Sequence, residues 1–213
     1  MDGHVSEDAP RRSLLGRLIG AMAMGLTAVP ALAAAATEEG PDWPGKLPGR
    51  HRQVCDAFAI NDGRALIYTH NFLSTTAPPG SATAVLVLRG PAVALAANDT
   101  VWDRYKLGET MKIVDPATKA TAVKNPYLHP PSGALPLDEA AIDRLVAAGV
   151  VFGVCNMALH GVSKVHAAAG GATAEVAYKD WTGNLIAGMT VIPSGVWGLN
   201  RAQEAGCTYC VGA

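Results

Sequence analysis

The chain has 213 residues, of which 49% are hydrophobic and 16% are charged, and its formal net charge is −1 at pH 7. A chain so close to neutral lacks the surplus of basic residues that nucleic-acid and membrane-surface binding require. Its length and apolar content instead indicate a globular protein with one sizeable core.

The first 36 residues have the pattern of an export signal. A paired arginine, Arg11-Arg12, precedes an apolar run from Leu18 to Leu32, and small-residue cleavage patterns follow at Ala33 and Ala36. The run is short for a membrane span, which needs about 20 residues. We therefore expect a twin-arginine signal that is cleaved near Ala33 or Ala36, a periplasmic protein and no stable membrane anchor. An ordinary secretory signal with a chance Arg-Arg is the alternative.

Residues 37–50 form a Pro/Gly-rich arm, which we expect to lie extended across the surface or a neighbouring subunit. A single domain is predicted from residue 51 to 213. Apolar runs and helical spacing, bounded by Gly, Pro and capping residues, define its elements. The predicted strands are 54–60, 84–88, 150–154, 189–192 and 207–211, and the predicted helices are 64–75, 92–107, 138–149, 156–168 and 194–204.

Strands and helices alternate along this domain. Alternation at such spacing predicts an α/β fold, with a mostly parallel five-stranded sheet in a single three-layer domain. Residues 173–178 fit a short strand or an irregular link. Residues 115–136 contain five prolines and no convincing element. A long irregular segment of this kind is typical of a lid, a binding loop or an oligomer contact.

The stretch from Val150 to Gly161 places a thiol between a strand and a helix. The apolar run ends at Cys155, and Asn156 begins the following helical pattern. Open α/β sheets bind ligands at the carboxyl ends of their strands, and a helix N-terminus stabilises a thiolate. Cys155 is therefore the candidate catalytic residue. A buried structural cysteine is the alternative, since free cysteines are among the most buried residues.

Four further residues are candidate ligand-binding groups at the same edge. Asn61, Asn156 and Ser194 follow predicted strands, and His129 lies in the Pro-rich loop, from which it could swing over the thiol. If the helices after the third and fourth main strands both open here, their N-termini suit an anion such as thiosulfate or sulfite. Turn formation or capping is the alternative for Ser194, and an ordinary surface histidine is the alternative for His129.

The four cysteines, Cys55, Cys155, Cys207 and Cys210, allow three complete pairings, among which the sequence does not choose. Cys207 and Cys210 have the CxxC spacing of thioredoxin-like sites. They fall in a predicted strand, however, where an offset of three directs the side chains to opposite faces. We expect a structural role for this pair.

Four stretches between Val85 and the C-terminus resemble the DsrE/DsrF-like family, most closely its exported, twin-arginine members. They are VLVLRGPAVALAAND, WDRYKLGE, VVFGVCNMALHG and MTVIPSGVWGLNRAQEAG. The resemblance implies a small DsrE-like α/β domain that forms homo-oligomers, commonly trimers or hexamers. It also implies sulfur relay, in which the cysteine corresponding to Cys155 accepts sulfane sulfur as a persulfide and hands it on. The export signal, the long Pro-rich loop and Cys207-Thr-Tyr-Cys210 depart from the cytoplasmic members, so the partner stays open.

The sequence thus predicts a periplasmic sulfur carrier with a sulfur donor and an acceptor protein as partners. No GxSxG, P-loop or GxGxxG motif supports a hydrolase or nucleotide function, and whether the chain is an enzyme stays open. The alternatives are a non-enzymatic module that binds a metal, haem or a small anion, and a structural oligomer subunit. Persulfide sulfur is the expected bound group. A metal or haem stays open because twin-arginine export often carries cofactor-loaded proteins, although the histidines show no recognised metal spacing.

Overall fold

Five parallel strands form one sheet in the order β4-β3-β2-β1-β5. The computed structural model describes residues 42–212, so the predicted export signal lies outside the described residues. The strands are β1 (His51–Ala57), β2 (Ala82–Leu88), β3 (Val151–Cys155), β4 (Met189–Ile192) and β5 (Thr208–Val211). The predicted α/β fold with a five-stranded sheet is confirmed, and every strand pair is parallel.

Seven α-helices accompany the sheet within residues 42–212. They are α1 (Arg64–Thr75), α2 (Asp99–Arg104), α3 (Leu107–Thr110), α4 (Ile142–Ala147), α5 (Asn156–His166), α6 (Ala174–Gly183) and α7 (Gly195–Glu204). The predicted bounds of α1 and β4 are the observed ones. In this same part of the chain, no helix is long and apolar enough to cross a membrane.

Apolar side chains of β2 alternate between two separate cores because successive residues of a strand face opposite sides. Leu86 packs with Leu66 of α1, Leu159 of α5 and Trp181 of α6 in the larger core. Val85 belongs to the smaller core, which also contains Ala202 of α7. Helices therefore cover both faces of the sheet, and β2 is buried on each side, as its unbroken apolar run predicts.

Trp43 and Leu47 of the Pro/Gly-rich arm are buried in the smaller core, whereas the other described residues of the arm are exposed or half-buried, as in an arm laid across the surface. Trp43 is only 4% exposed, and its indole Nε1 donates a hydrogen bond to the carbonyl of Phe152 at 3.3 Å. Gly153 makes room for the indole, since a Cβ there would lie 2.5 Å from Trp43 Cζ2. Trp197 of α7 packs beside this indole, with 6.3 Å between the ring centroids and the ring planes tilted by 34°.

The predicted helix over 92–107 is wrong. The chain instead forms a 3₁₀ helix, Gly90–Ala96, followed by the short helices α2 and α3. Asn98 starts α2 anew, since its side chain accepts hydrogen bonds from the N–H groups of Thr100 and Val101. Gly108 does not end a helix but lies inside α3, where a Cβ would come within 1.8 Å of the Ala122 carbonyl oxygen.

Two smaller predictions also need correction. Residues 173–178 form neither a strand nor a link, because Thr173 caps α6 by accepting a hydrogen bond from the N–H of Val176. Asp138 does not cap a helix that continues to Gly149. Its carboxylate accepts hydrogen bonds from the Ser132 hydroxyl and the Gly133 N–H, and α4 begins only at Ile142.

The Pro-rich segment 115–136 is irregular, as predicted, but its middle is anchored to the core. Asn125 is 4% exposed, and its side-chain amide donates to the carbonyls of Leu95 and Ala97. Tyr127 and Leu128 are buried beside it. These contacts hold the middle of the segment against the 3₁₀ helix that follows β2.

Candidate functional site

The carboxyl ends of β3 and β4 form a topological switch point. After β3 the chain enters α5, which packs in the larger core, and after β4 it enters α7, which packs in the smaller core on the opposite face. Where the connections from neighbouring strands leave to opposite faces, a crevice opens at the carboxyl edge, and open α/β proteins bind ligands there. Cys155 ends β3 and Ser194 follows β4, so both lie at this edge of the sheet.

Cys155 is the last residue of β3 and the N-cap of α5. Its side chain is 5% exposed, and its Sγ accepts a hydrogen bond from the N–H of Ala158 at 3.3 Å. The sulfur therefore lies at the N-terminal, positive end of the α5 dipole and accepts one of its free N–H groups. The local sequence produces this geometry, because the extended backbone of Cys155 leads straight into the helical turn of Asn156.

Arg89 places a cation at the same edge of the sheet, since Leu88 pairs with Val154, and Arg89 and Cys155 are the next residues along the chain. It directly follows β2, and its guanidinium makes two hydrogen bonds to the Asp56 carboxylate, from Nε at 2.6 Å and from Nη2 at 2.8 Å. The hydrogen bond to Asp56 is the main cause of the raised pKa of Arg89.

Two contacts hold the Arg89 side chain in place besides that ion pair. Its guanidinium carbon lies 4.7 Å from the centroid of the Phe58 ring, a cation–π distance. Its aliphatic stem passes the first residue of α7, Gly195, where a Cβ would come within 2.7 Å of both Cβ and Cδ of Arg89. Glycine at this position therefore leaves room for the Arg89 stem beside the start of α7.

Asp56 is the buried anchor of this network. It is 2% exposed in β1, and the hydroxyl of Tyr209, in the adjacent strand β5, donates to its Oδ2 at 2.9 Å. That hydrogen bond is the main cause of the raised pKa of Tyr209. With two donors from Arg89 and one from Tyr209, the carboxylate is satisfied, as a buried charge must be. The network joins β1, β2 and β5 at the edge where the thiol lies.

Asn156 lies next to the thiol in sequence, but its side chain is already engaged. Its Oδ1 accepts a hydrogen bond from the Tyr178 hydroxyl at 2.7 Å, and the His160 ring stacks on Tyr178 with 3.5 Å between centroids. These contacts tie the first turns of α5 to α6. Asn156 therefore fixes the start of α5 to Tyr178 of α6.

Ser194 and Asn61 lie on the predicted edge. Ser194 is the N-cap of α7 and accepts a hydrogen bond from the N–H of Trp197 at 3.2 Å, so the capping alternative is the observed role. Asn61 follows β1 by four residues, is exposed, and has a left-handed backbone with φ of 39°. No hydrogen bond from either side chain to Cys155 is found within residues 42–212.

His129 does not lie over the thiol. Its Nδ1 is 2.7 Å from Oδ2 of Asp143, and the side chain is 68% exposed. Both residues line an open cavity of about 390 Å³, together with Asn98, Leu128, Val146 and residues 185–187. Residues 185–187 lead into the amino end of β4, whereas Cys155 ends β3, so this cavity and the thiol are separate features.

Sequence reasoning missed Arg89, Asp56 and Tyr209. Arg89 did carry a signal, since a cation directly after a buried apolar strand falls on the ligand-binding edge. Asp56 carried another, as the one acidic residue within the β1 run VCDAFAI. Tyr209 carried none, because its contact depends on β5 returning to the far side of β1.

The described residues do not provide a metal site. Between residues 42 and 212, no group of three or more His, Cys, Asp or Glu side chains is placed to hold a metal ion. His129 pairs with Asp143, and His160 stacks on Tyr178. The metal-binding alternative therefore gains no support from the geometry of this part of the chain.

Comparisons with known proteins add a structural likeness and no function. No family model matches the chain, and no curated protein matches it. Among solved structures, it is similar to the protein of unknown function MTH1491 from Methanobacterium thermoautotrophicum, with 17% identity and a TM-score of 0.43. The match covers 76% of this chain and 99% of that one. The site has to be judged on its own geometry.

Proposed function

We propose that this protein is a sulfur carrier, in which Cys155 accepts sulfane sulfur as a persulfide and passes it to an acceptor thiol. The observation that carries the proposal is the setting of Cys155 at the β3–β4 switch point, where its Sγ accepts the Ala158 N–H. The four stretches that resemble DsrE/DsrF-like proteins support it. A periplasmic location and a homo-oligomeric assembly belong to the same proposal.

The transfer needs a nucleophilic sulfur and no change of overall oxidation state. The Cys155 thiolate attacks the terminal sulfur of a donor persulfide, R–S–SH. A bond forms between the two sulfurs, the donor S–S bond breaks, and R–S⁻ leaves with the electron pair. Cys155 then carries –S–SH, and an acceptor thiolate removes the outer sulfur by the same exchange in reverse.

The residues around Cys155 have separate roles in this reaction. The Ala158 N–H and the N-terminal dipole of α5 stabilise the anionic sulfur before attack and the anionic persulfide after it. Arg89 supplies a positive charge near the same sulfur, and Asp56 with Tyr209 fixes the guanidinium. Asp56 and Tyr209 are positioning residues, since they act through Arg89.

The test is intact mass spectrometry of the exported protein after incubation with a persulfide donor such as glutathione persulfide. We expect an adduct of one sulfur atom that cyanide or a reductant removes and that Cys155→Ser abolishes. Cys207→Ser is the matched control, because Cys207 is another buried cysteine outside the crevice, and it should retain the adduct. An adduct that persists in Cys155→Ser, or the absence of an adduct on the unsubstituted protein, would refute the proposal.

A further inference from the structure

Cys55 and Cys210 face each other across neighbouring strands. They are register partners in β1 and β5, and register partners of a parallel pair point to the same face of the sheet. Neighbouring strands lie about 4.8 Å apart. Disulfides bridge Cα separations of about 4.4–6.8 Å. The backbone thus brings these two cysteines within bridging range.

The other cysteines are placed differently. Cys207 precedes β5 and packs in the smaller core, so the CxxC spacing does not bring its sulfur beside that of Cys210. Cys155 lies in β3, which β2 separates from β1. Among these four cysteines, the strand register brings together Cys55 and Cys210.

We infer that Cys55 and Cys210 form a reversible disulfide that clamps the edge strand β5 to β1. Within the sheet, β5 has β1 as its single neighbour, so its position depends on that one pairing. The clamp lies one residue from the hydrogen bond between Tyr209 and Asp56. The disulfide therefore holds β5 in place, and β5 carries Tyr209, which donates to the Asp56 carboxylate that pairs with Arg89.

The two thiols differ in solvent exposure, and this difference decides which of them reacts first. Cys55 is 1% exposed, and Gly212 closes over it, since a Cβ on Gly212 would lie 2.7 Å from Cys55 Sγ. Cys210 is half-buried on the edge strand. Burial raises the pKa of Cys55 to about 12, with the neighbouring Cys210 adding to the shift. Cys210 is thus the thiol that an oxidant meets first.

The oxidant is a low-molecular-weight disulfide, R–S–S–R. The Cys210 thiolate attacks one of its sulfurs, forms a mixed disulfide and releases R–S⁻. Cys55 loses its proton and attacks the Cys210 sulfur, which releases the second R–S⁻ as the bridge forms. Two protein thiols are oxidised, and the disulfide is reduced to two thiols. A small dithiol reverses the reaction.

The experiment uses the full chain, incubated with oxidised glutathione, then blocked with a thiol-alkylating reagent, digested without reductant and mapped by mass spectrometry. We expect a peptide pair linked through Cys55 and Cys210. The bridged form should melt at a temperature higher by at least about 5 °C than the reduced form, because the link closes a long loop of the unfolded chain.

Three variants separate this inference from other outcomes. Cys210→Ser should lose both the linked peptides and the gain in melting temperature, whereas Cys207→Ser should keep both. Cys155→Ser should also keep both, so failure of the sulfur-carrier proposal leaves this inference standing. A persistent absence of the linked pair in the unsubstituted protein, a link that involves Cys207, or a bridge without a higher melting temperature would overturn it.

Discussion

Cys55 and Cys155 are both buried thiols on strands of the same sheet, yet their polar contacts are opposite. The Sγ of Cys55 donates a weak hydrogen bond to the carbonyl of Ala65 at 3.7 Å, which favours the neutral thiol. The Sγ of Cys155 instead accepts a hydrogen bond from the N–H of Ala158 at 3.3 Å, at the start of a helix. Their exposed fractions, 1% and 5%, hardly differ.

The comparison teaches that burial alone does not decide whether a cysteine is reactive. Cys55 lies within its strand and meets a carbonyl of α1, whereas Cys155 ends its strand and meets the N–H groups of a new helix. Arg89 adds to this difference, since it follows β2 at the position that corresponds to Cys155 in the register of β2 and β3. Four experiments can break or sharpen the comparison.

The largest effect is expected from Arg89→Ala. The change leaves the Asp56 carboxylate, 3% exposed, with only the Tyr209 hydroxyl as a side-chain partner. An unpaired buried charge should lower the free energy of unfolding by about 3 kcal/mol. Urea denaturation measures it. Arg201→Ala is the control, because its pair with Glu204 is about half exposed on both sides and should contribute less than about 1 kcal/mol. Equal losses in the two variants would contradict the role of Arg89.

Gly195→Ala should have the next largest effect. The new Cβ would collide with Cβ and Cδ of Arg89 at 2.7 Å, so the guanidinium must move or α7 must shift. Overpacking of this kind costs about 1–3 kcal/mol. Urea denaturation measures the loss, and the rate of persulfide formation on Cys155 should fall as well.

Gly161→Ala is the matched control for that substitution. Gly161 lies in α5, and a Cβ there would meet no atom within 4 Å. Alanine is the better helix former, so stability should stay the same or rise by up to about 1 kcal/mol. If Gly195→Ala were as stable as Gly161→Ala, the packing of the Arg89 side chain would not require the space that Gly195 leaves at the start of α7.

Stability at alkaline pH should reveal whether the folded chain holds Cys55 as a neutral thiol. Its pKa is raised from 9.0 to about 12 by burial, so the folded chain keeps this proton after the unfolded chain has lost it. Stability from this group is complete below about pH 9 and should fall by about 1.4 kcal/mol per pH unit as the pH rises toward 12. Urea denaturation of the reduced protein across this range gives the slope.

Cys55→Ala is the control for the alkaline slope. It removes the thiol, so stability should fall less steeply with pH above about 9 than in the unsubstituted protein. Tyr105 and Tyr127, whose burial raises their pKa from 10.0 to about 12, contribute equally in both proteins. Identical slopes would mean that Cys55 is not held as a neutral thiol.

Tyr209→Phe should have the smallest effect. It removes one donor to Asp56 and leaves both bonds from Arg89, so the expected loss is about 1–2 kcal/mol. Chemical denaturation measures it, and Tyr68→Phe on α1, at a residue 39% exposed, should stay within about 0.5 kcal/mol of the unsubstituted protein. A Tyr209→Phe protein as stable as Tyr68→Phe would remove Tyr209 from the network.

The sequence predicted those parts of the fold that depend on local pattern. The helix Arg64–Thr75 and the strand Met189–Ile192 have apolar spacing and flanking turn residues that define both of their ends. The long helix over 92–107 was wrong because the capping side chain of Asn98 outweighed a continuous helical composition. The burial of Trp43 was missed because the space that it fills is created by Gly153, far away in the sequence.

At the site too, local features could be predicted from the sequence, whereas contacts between distant segments could not. The position of Cys155 follows from a strand that runs directly into a helix, and Ser194 follows from a local capping pattern. The pairs Asp56–Arg89 and Cys55–Cys210 are contacts between strands, which exist only once the order and register of the sheet are known. The expected reach of His129 over the thiol did not allow for its pairing with Asp143 on α4.

The most direct test of the central claim is a competition among the four thiols. The full chain is exposed briefly to glutathione persulfide, the remaining thiols are blocked, and peptide mapping measures persulfide at each cysteine over time. The account predicts that Cys155 is modified first and that Arg89→Ala slows this step, while Cys55 stays unmodified. Modification of Cys55 or Cys207 ahead of Cys155, or a rate at Cys155 that does not depend on Arg89, would contradict it.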